Sequence, residues 1–356
     1  MCTLKLFKSY LTKRKQFVSI HGIFSDVLEI LSGVPQGSIL GPILFNIFLN
    51  DLLYYIKSTN THNYADDNVL SAAANCIGEL IKILEKGADE ALEWIDFNFM
   101  YANLDKFQAI ISTKDKRDTK DLEIRVGNKK IKTMEEVVQL GVVIDNKLCF
   151  DLYISDLLKK ASAKLNAIKR KGNYLSQSQR ATLCNSYVNS YFKYCSLVWH
   201  FGSVKNIHNT EKLHERAIRF VYDDYESDYF ELLKEKKLCT LYTQRLQDMC
   251  CEIYKAIKCN SSAYMNDLIK KRPSSYKSKQ ELDLYISKVN QVTFGYKSFS
   301  VIAPKIWNSI PKSIRALETY NTFQPEIKKI TLPWCFCVNC CLKQKYLDSV
   351  FKFHHP

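Results

Sequence analysis

The sequence predicts an α+β fold, and three observations carry that expectation. Short β-branched runs punctuated by glycine, proline and asparagine fill residues 1–147, one long amphipathic stretch interrupts them, and the apolar period then becomes helical through about residue 260. The expected division is a mixed region at 1–147, an all-helical region at 148–260, and a basic, irregular region at 261–356. In this last region Pro273, Pro304, Pro311, Pro325 and Pro333 break the pattern into short, interrupted pieces.

Residues 16–20 and 27–31 flank His21-Gly22 and read as a hairpin. Gly33-Val34-Pro35-Gln36-Gly37-Ser38 is a glycine-bracketed loop, after which Gly41-Pro42 opens an apolar helix running to about Ile56. Pro42 sits near the first turn, where a missing N–H costs little. Residues 63–67 and 68–73 predict a second hairpin with Asp66 and Asp67 at its tip. From Ile77 on, Leu80, Ile81, Leu84, Ala88, Ala91, Leu92 and Ile95 recur at helical spacing. Strand-like runs return at 107–112, 122–126 and 137–144, with Gly127-Asn128 as a turn. Two helical faces follow, one on Ile154, Leu157, Leu158, Ala161, Leu165 and Ile168, the other on Leu183, Tyr187, Tyr191, Tyr194 and Val198.

With 46% hydrophobic residues among 356, the chain has the means to bury a core and is not a disordered tail. Its 51 Lys and Arg against 37 Asp and Glu give a net charge of +14, which favours a polyanionic partner, although many basic proteins simply carry solvated lysines. The thirteen cysteines are an odd number, and Cys76, Cys149, Cys184 and Cys195 lie in apolar periodic segments as reduced core residues. The N-terminal residues lack the pattern of a secretory leader, and the most apolar stretch, 39–53, is too short to span a bilayer and holds Gly41, Pro42, Asn46, Asn50 and Asp51. The expectation is a soluble intracellular chain with no membrane partner; nuclear against cytoplasmic residence and oligomeric state stay open.

Two adjacent carboxylates on a tight hairpin can face one divalent cation, and hard oxygen donors suit Mg²⁺, or Mn²⁺ in its place. Asp-Asp is also a common turn dipeptide, so Asp66 and Asp67 alone decide nothing. Their context does. Ser32-Gly33-Val34-Pro35-Gln36-Gly37-Ser38-Ile39-Leu40-Gly41-Pro42, followed after one helix by Tyr64-Ala65-Asp66-Asp67, resembles motifs B and C of the reverse transcriptases of non-LTR retrotransposons. Asn103-Leu104-Asp105-Lys106-Phe107 resembles their motif D, and Leu140-Gly141-Val142-Val143-Ile144-Asp145 their motif E, the primer grip. Residues 187–199, residues 211–222 and Lys305-Ile306-Trp307-Asn308 are similar to the tail of such elements, so the likeness covers almost the whole chain.

The resemblance implies an incomplete polymerase palm, a mostly antiparallel sheet with helices on one face, followed by an all-helical thumb. It implies an RNA template, a DNA primer and deoxynucleoside triphosphates as partners. Asp66 and Asp67 would hold catalytic Mg²⁺ and Tyr64 would sit near the primer end. Gly33, Pro35, Gln36, Gly37 and Ser38 would line the site of the templating base and incoming nucleotide, with the glycines allowing close backbone approach. Lys106 would support the triphosphate, Leu140 and Gly141 would belong to the primer grip, and Lys159, Lys160, Lys164 and Lys171, with Lys169 and Arg170, would meet the duplex backbone.

One departure stands out. The family's first catalytic carboxylate lies on a strand upstream of the hairpin at 16–31, and Asp26 and Glu29 are no substitutes. Loss of that ligand removes several kcal/mol from the transition state, about a thousandfold or more in rate, so little or no activity is expected from this chain alone. A catalytically dead nucleic-acid-binding remnant and a truncated reading frame without selected function are the alternatives. Cys335, Cys337, Cys340 and Cys341, followed by His354 and His355, offer a zinc set, but C-x-C-x-x-C-C lacks the spacing of familiar zinc modules and free cysteines are favoured. Trp199, Trp307 and Trp334 are expected in the core rather than stacked on bases.

Overall fold

The computed structural model describes residues 2–113, 119–200, 202–258, 263–271, 282–288 and 298–330. The fold is α+β and divides into two compact units, Met1–Leu140 and Gly141–Pro356, the division falling ahead of the boundary expected at 147.

Unit 1 begins with α1 (Cys2–Leu11) and the expected hairpin, which forms as two stacked ladders. β1 (Arg14–Gln16) pairs antiparallel with β4 (Leu28–Ile30), and β2 (Ser19–Ile20) with β3 (Ile23–Phe24) around the left-handed His21 and Gly22. The helix opened by Gly41 is interrupted at Asn50-Asp51, giving α2 (Gly41–Leu49) and α3 (Leu52–Tyr55), with Pro42 in its first turn. β5 (Asn60–Tyr64) and β6 (Asp67–Ser71) form the second hairpin. α4 (Ile77–Phe97) follows, and its predicted apolar stripe splits between two small cores, Ala88 with Ile111, Ile124, Val126 and Ile131, and Trp94 with Leu49, Leu52 and Ile56. β7 (Ala109–Ile110), β8 (Glu123–Val126) and β9 (Lys129–Met134) make a three-stranded sheet with β9 central, and β10 (Glu136–Gln139) closes the unit.

The strand pairing of unit 1 is antiparallel except where β7 meets β9, but among the described residues β1 to β9 fall into four separate small sheets and not one. Strands of two to six residues pair only with near neighbours, so helix packing carries most of the stability. β9 went unpredicted because Lys129-Lys130-Ile131-Lys132-Thr133-Met134 reads as polar, yet its alternation buries Ile131 and Thr133 on one face.

Two contacts seat the β5–β6 hairpin on α4. A Cβ at Gly87 would lie 2.5 Å from a Thr59 methyl, so only glycine admits this approach of helix and chain. One turn later, Glu90 accepts the backbone N–H groups of Lys57 (2.8 Å) and Ser58 (3.0 Å) and the Ser58 hydroxyl (2.6 Å). Burial pulls the Glu90 carboxyl upward, but the Ser58 and Lys57 hydrogen bonds outweigh it and hold it below the ordinary range.

Unit 2 starts with β11 (Val142–Asp145) and α5 (Asp151–Lys169), joined by a loop wrapped on Asp145. The Asp145 carboxylate accepts the N–H groups of Lys147, Cys149 and Phe150 at 2.6–3.1 Å, which lets Leu148 and Phe150 hold left-handed conformations. Then come α6 (Gln177–Cys184), capped by Ser176 and Gln179, a π-helical turn (Asn185–Asn189), α7 (Ser190–Lys193), α8 (Ser196–Trp199), α9 (Val204–Tyr222), α10 (Tyr229–Glu235) and α11 (Leu241–Lys258). α12 (Ala263–Leu268), α13 (Phe299–Ser309), α14 (Lys312–Arg315) and α15 (Tyr320–Lys329) complete it.

Three expectations need correction here. The face Leu183, Tyr187, Tyr191, Tyr194, Val198 is largely outward. Cys184, Val188, Phe192 and Trp199 face the core instead, the π turn shifting the register of the residues that follow Cys184. Residues 298–330 are helical rather than irregular: Pro304 and Pro325 sit inside α13 and α15, whose Ile302, Ile306, Trp307, Phe323 and Ile327 pack on α11. Burial of that apolar stripe overrides the cost of a proline within the helix. Of the four cysteines assigned to the core, Cys184 is buried and Cys149 and Cys195 partly so, whereas Cys76 is exposed at the start of α4. Trp199 and Trp307 are core residues as expected; Trp334 lies outside the described residues.

Replacing Glu90 by Ala leaves up to three donors without their acceptor and is expected to cost about 1–3 kcal/mol, read as a lower denaturant midpoint at unchanged m-value. A second expectation concerns pH. Burial, reinforced by the charge of Arg245, pushes His214 down to about 3, and its Nδ1 lies 2.7 Å from the Tyr229 hydroxyl. The unfolded chain then binds a proton near pH 6.5 that the folded chain refuses, so unit 2 is expected to keep its full stability above that pH and to lose it steadily as pH falls toward 3. Thermal melts from pH 7.5 to 5 check this, and His214→Gln is expected to flatten the dependence.

Candidate active site

The β5–β6 register pairs Tyr64 with Asp67, which leaves Ala65 and Asp66 as a two-residue connection. Ala65 takes φ 54°, a left-handed conformation that costs a non-glycine residue about 1–3 kcal/mol and persists because the flanking ladder imposes it. Asp66 therefore occupies the tip, while Asp67 is the first residue of β6 and not part of the tip itself. Both carboxylates and the Tyr64 ring are exposed. The Asn68 side-chain amide donates to the Asp66 carbonyl at 3.3 Å, bracing the tip from the following strand.

In the glycine-bracketed loop Gly33 (φ 78°) and Gly37 (φ 77°) are left-handed, and a Cβ on either would meet no other atom of the protein within 4 Å. Within the chain itself they serve backbone shape. A close approach inside the chain occurs at Gly41, where a Cβ would come within 2.9 Å of the Pro35 carbonyl and the Ser38 hydroxyl. Ser38 closes the loop, its hydroxyl donating to the Pro35 carbonyl (2.7 Å) and accepting the Gly41 N–H (3.0 Å). Arg14 secures the other end: its guanidinium donates to the Ser32 (3.1 Å) and Gly33 carbonyls, and its Nε to the Leu11 carbonyl (3.1 Å). Gln36 is exposed.

Lys106 ends the short 3₁₀ turn Leu104–Lys106, which Asn103 caps through the Asp105 N–H. Its side chain is exposed, whereas Asp105 beside it is engaged by Lys129. Burial and solvation of Asp105 are secondary to that Lys129 hydrogen bond, which holds the carboxyl low. Leu140 (φ 47°) and Gly141 (φ 77°) form the left-handed turn from β10 to β11 and are the last residue of unit 1 and the first of unit 2. Lys159, Lys160, Lys164 and Lys171 are exposed in unit 2; Lys160 is engaged by Asp156 at 2.7 Å, and Lys169 lies over the Phe220 and Tyr225 rings at 5.8 and 5.7 Å. The Cys335, Cys337, Cys340 and Cys341 set lies outside the described residues.

Gly33, Pro35, Gln36, Gly37, Ser38, Tyr64, Asp66, Asp67 and Lys106 thus all fall in unit 1, the loop and the acid tip being joined through α2, α3 and β5. Among the described residues no three His, Cys, Asp or Glu side chains converge as a metal site. Two exposed carboxylates still fit Mg²⁺, which commonly takes one or two carboxylates and draws its other ligands from phosphate and water. Arg14, Gly87 and Glu90 support the site and escaped the sequence reading, and Gly41 was read only as a helix start within the loop motif. Gly41 had a signal in its place ahead of Pro42, while Arg14 and Glu90 act on backbone atoms far away in sequence and leave none.

The reverse transcriptase (RNA-dependent DNA polymerase) family matches residues 2–144. Among curated proteins, the probable RNA-directed DNA polymerase from transposon BS of Drosophila melanogaster is 23% identical over 61% of this chain and 25% of its own length. The RNA-directed DNA polymerase from mobile element jockey of Drosophila funebris is 26% identical over 60% of this chain and 24% of its own. The probable RNA-directed DNA polymerase from transposon X-element of Drosophila melanogaster is 24% identical over 61% and 24%. The chain spans about a quarter of the length of these relatives. No solved structure matches it. The matched residues 2–144 contain both the glycine-bracketed loop and the Asp66–Asp67 hairpin, so it is this part of the chain that is similar to the reverse transcriptase family.

Proposed function

We propose that this chain is the portion of a non-LTR retrotransposon RNA-directed DNA polymerase from motif B onward, with 1–147 as palm, 148–260 as thumb and 261–356 as C-terminal region. The observation that carries the reading is the strained, exposed Asp66–Asp67 turn, held on α4 by Gly87 and Glu90 and preceded by the glycine-bracketed loop. In this reading Asp66 and Asp67 hold Mg²⁺, or Mn²⁺, and that ion supplies charge stabilisation for nucleotidyl transfer. Tyr64 supports the primer end, Gly33, Pro35, Gln36, Gly37 and Ser38 shape the nucleotide and template site, and Lys106 faces the triphosphate. Leu140 and Gly141 act in the primer grip. Lys159, Lys160, Lys164 and Lys171 supply cations to the backbone of an RNA template paired with a DNA primer. A rigid tip suits such chemistry because phosphoryl transfer depends on positioning and charge more than on covalent steps.

With no third acid beside Asp66 and Asp67 among the described residues, the metal set is incomplete for a two-ion mechanism. Primer extension on a poly-rA template with Mg²⁺ is therefore expected to give no more product from these 356 residues than from Asp66→Ala, a shortfall of about a thousandfold or more against a complete site. Incorporation that vanishes in Asp66→Ala would overturn the inactivity and leave the family role standing. The second reading, binding of nucleic acid without catalysis, draws on the exposed lysines of α5 and survives either result.

A further inference from the structure

α5 and α9 pack together through a shared apolar seam, with Ile154, Leu157, Ala161 and Leu165 from one and Leu213, Ala217, Phe220 and Val221 from the other. Beside that seam runs a groove of about 810 Å³, lined by Leu158, Ala163 and Leu213 and otherwise by polar side chains. Its α9 wall presents Lys205, Asn209, Lys212 and Arg216, spaced i, i+4, i+7, i+11, so they form one stripe along the helix. Its α5 wall presents Lys159 among Ser155, Ser162 and Ala163, side chains too small to fill the space. Four cations face one acid, Asp151. That carboxylate, hydrogen-bonded by the Ser203 hydroxyl (3.2 Å) and the Asn206 amide, keeps its charge, and the cations still outnumber it.

We propose that this groove binds a nucleic-acid phosphodiester backbone, with Lys159, Lys205, Lys212 and Arg216 as its phosphate contacts. The lining chemistry argues for that occupant. Cations are spread along about 16 Å of α9, the length of a strand segment and not of one isolated anion. Among the described residues no aromatic side chain lines the groove, and its serines and asparagines are small donors suited to phosphate and sugar oxygens. Arg216 is set in place by the Asn166 side-chain carbonyl at 3.2 Å, which leaves the rest of its fork directed outward. Contacts of this kind fix the position of a strand without reading its sequence. The proposal rests on the reading of unit 2 as a nucleic-acid-binding unit and adds α9, whose part the lysine run of α5 does not reveal.

The test is fluorescence anisotropy with the full chain, using a labelled single-stranded RNA and the RNA–DNA duplex of the same sequence, across about 50–200 mM salt. Lys205→Gln/Lys212→Gln/Arg216→Gln is expected to weaken binding about tenfold or more at low salt and to lower the salt slope by about two to three. Lys205→Gln/Lys212→Gln, which leaves the Arg216–Asn166 hydrogen bond in place, guards against loss of structure and is expected to show about two-thirds of the slope change. A charge-matched set off the groove, Lys234→Gln/Lys258→Gln/Lys312→Gln, is expected to leave the slope nearly as it was. Whichever strand form loses more affinity identifies the occupant. Equal losses in the groove and off-groove sets, or a slope unchanged by the groove set, would overturn the groove while leaving the polymerase reading intact. No binding by the unmodified chain would remove the nucleic-acid role of unit 2 altogether, whereas the fate of the catalytic reading is decided separately by primer extension.

Discussion

The Glu90 carboxylate is the interaction on which the candidate site depends. A β-hairpin alone is at best marginally stable in water, and β5–β6 pairs with no other strand among the described residues. Its position comes from α4, through three donors converging on Glu90 and the absence of a side chain at Gly87. The same helix holds β8: Glu85 accepts the Arg125 N–H and Asp89 takes the Arg125 guanidinium as a fork at 2.7 and 3.1 Å. One helix therefore fixes both elements from two of its sides, the acid tip through Gly87 and Glu90 and the small sheet through Glu85 and Asp89. The strain at Ala65 is affordable only because that anchoring is elsewhere and tight.

How much of this was legible depended on the range of the interactions. The turns at His21-Gly22 and Gly127-Asn128, the helix start at Gly41-Pro42 and the stripes of α4 and α5 are local, and the sequence displays them. β9 was hidden because a strand half exposed to water can be mostly lysine. The face of residues 183–198 was misjudged because one π turn rotates everything after it, and nothing in Asn185-Ser186-Tyr187-Val188-Asn189 announces such a turn. Pro304 and Pro325 misled in the other direction, since a local breaker lost to a long-range core. In the site, the chemical residues Asp66, Asp67 and Gln36 were visible as motifs, while Arg14 and Glu90, which bond to distant backbone atoms, had no signature.

Unit 2 carries an ionic core that no helical pattern reveals. Arg245 is buried with its guanidinium 4.9 Å over the Trp199 ring, and among the described residues none of its side-chain nitrogens has a hydrogen-bond partner. Burial pushes Arg245 down and its opposite charge, Glu211, up, and each is partly restored by the other. Glu211 meanwhile accepts the Tyr242 (2.6 Å) and Leu241 (3.3 Å) N–H groups at the start of α11, where a negative charge is favoured. Such a centre adds little net stability over apolar packing, but breaking it is expensive because one charge is left uncompensated. It therefore selects one arrangement of α9 and α11 over near alternatives.

The first hairpin has a practical consequence for anyone handling the protein. Phe17, Ile20, Ile23, Phe24 and Leu28 all turn more than half of their surface to water, on ladders only two or three residues long with open outer edges among the described residues. Greasy side chains beside unpaired amides and carbonyls are a template for another chain to add a strand. Crowding the protein in a concentrated stock favours that addition, so self-association is expected to begin at this short ribbon.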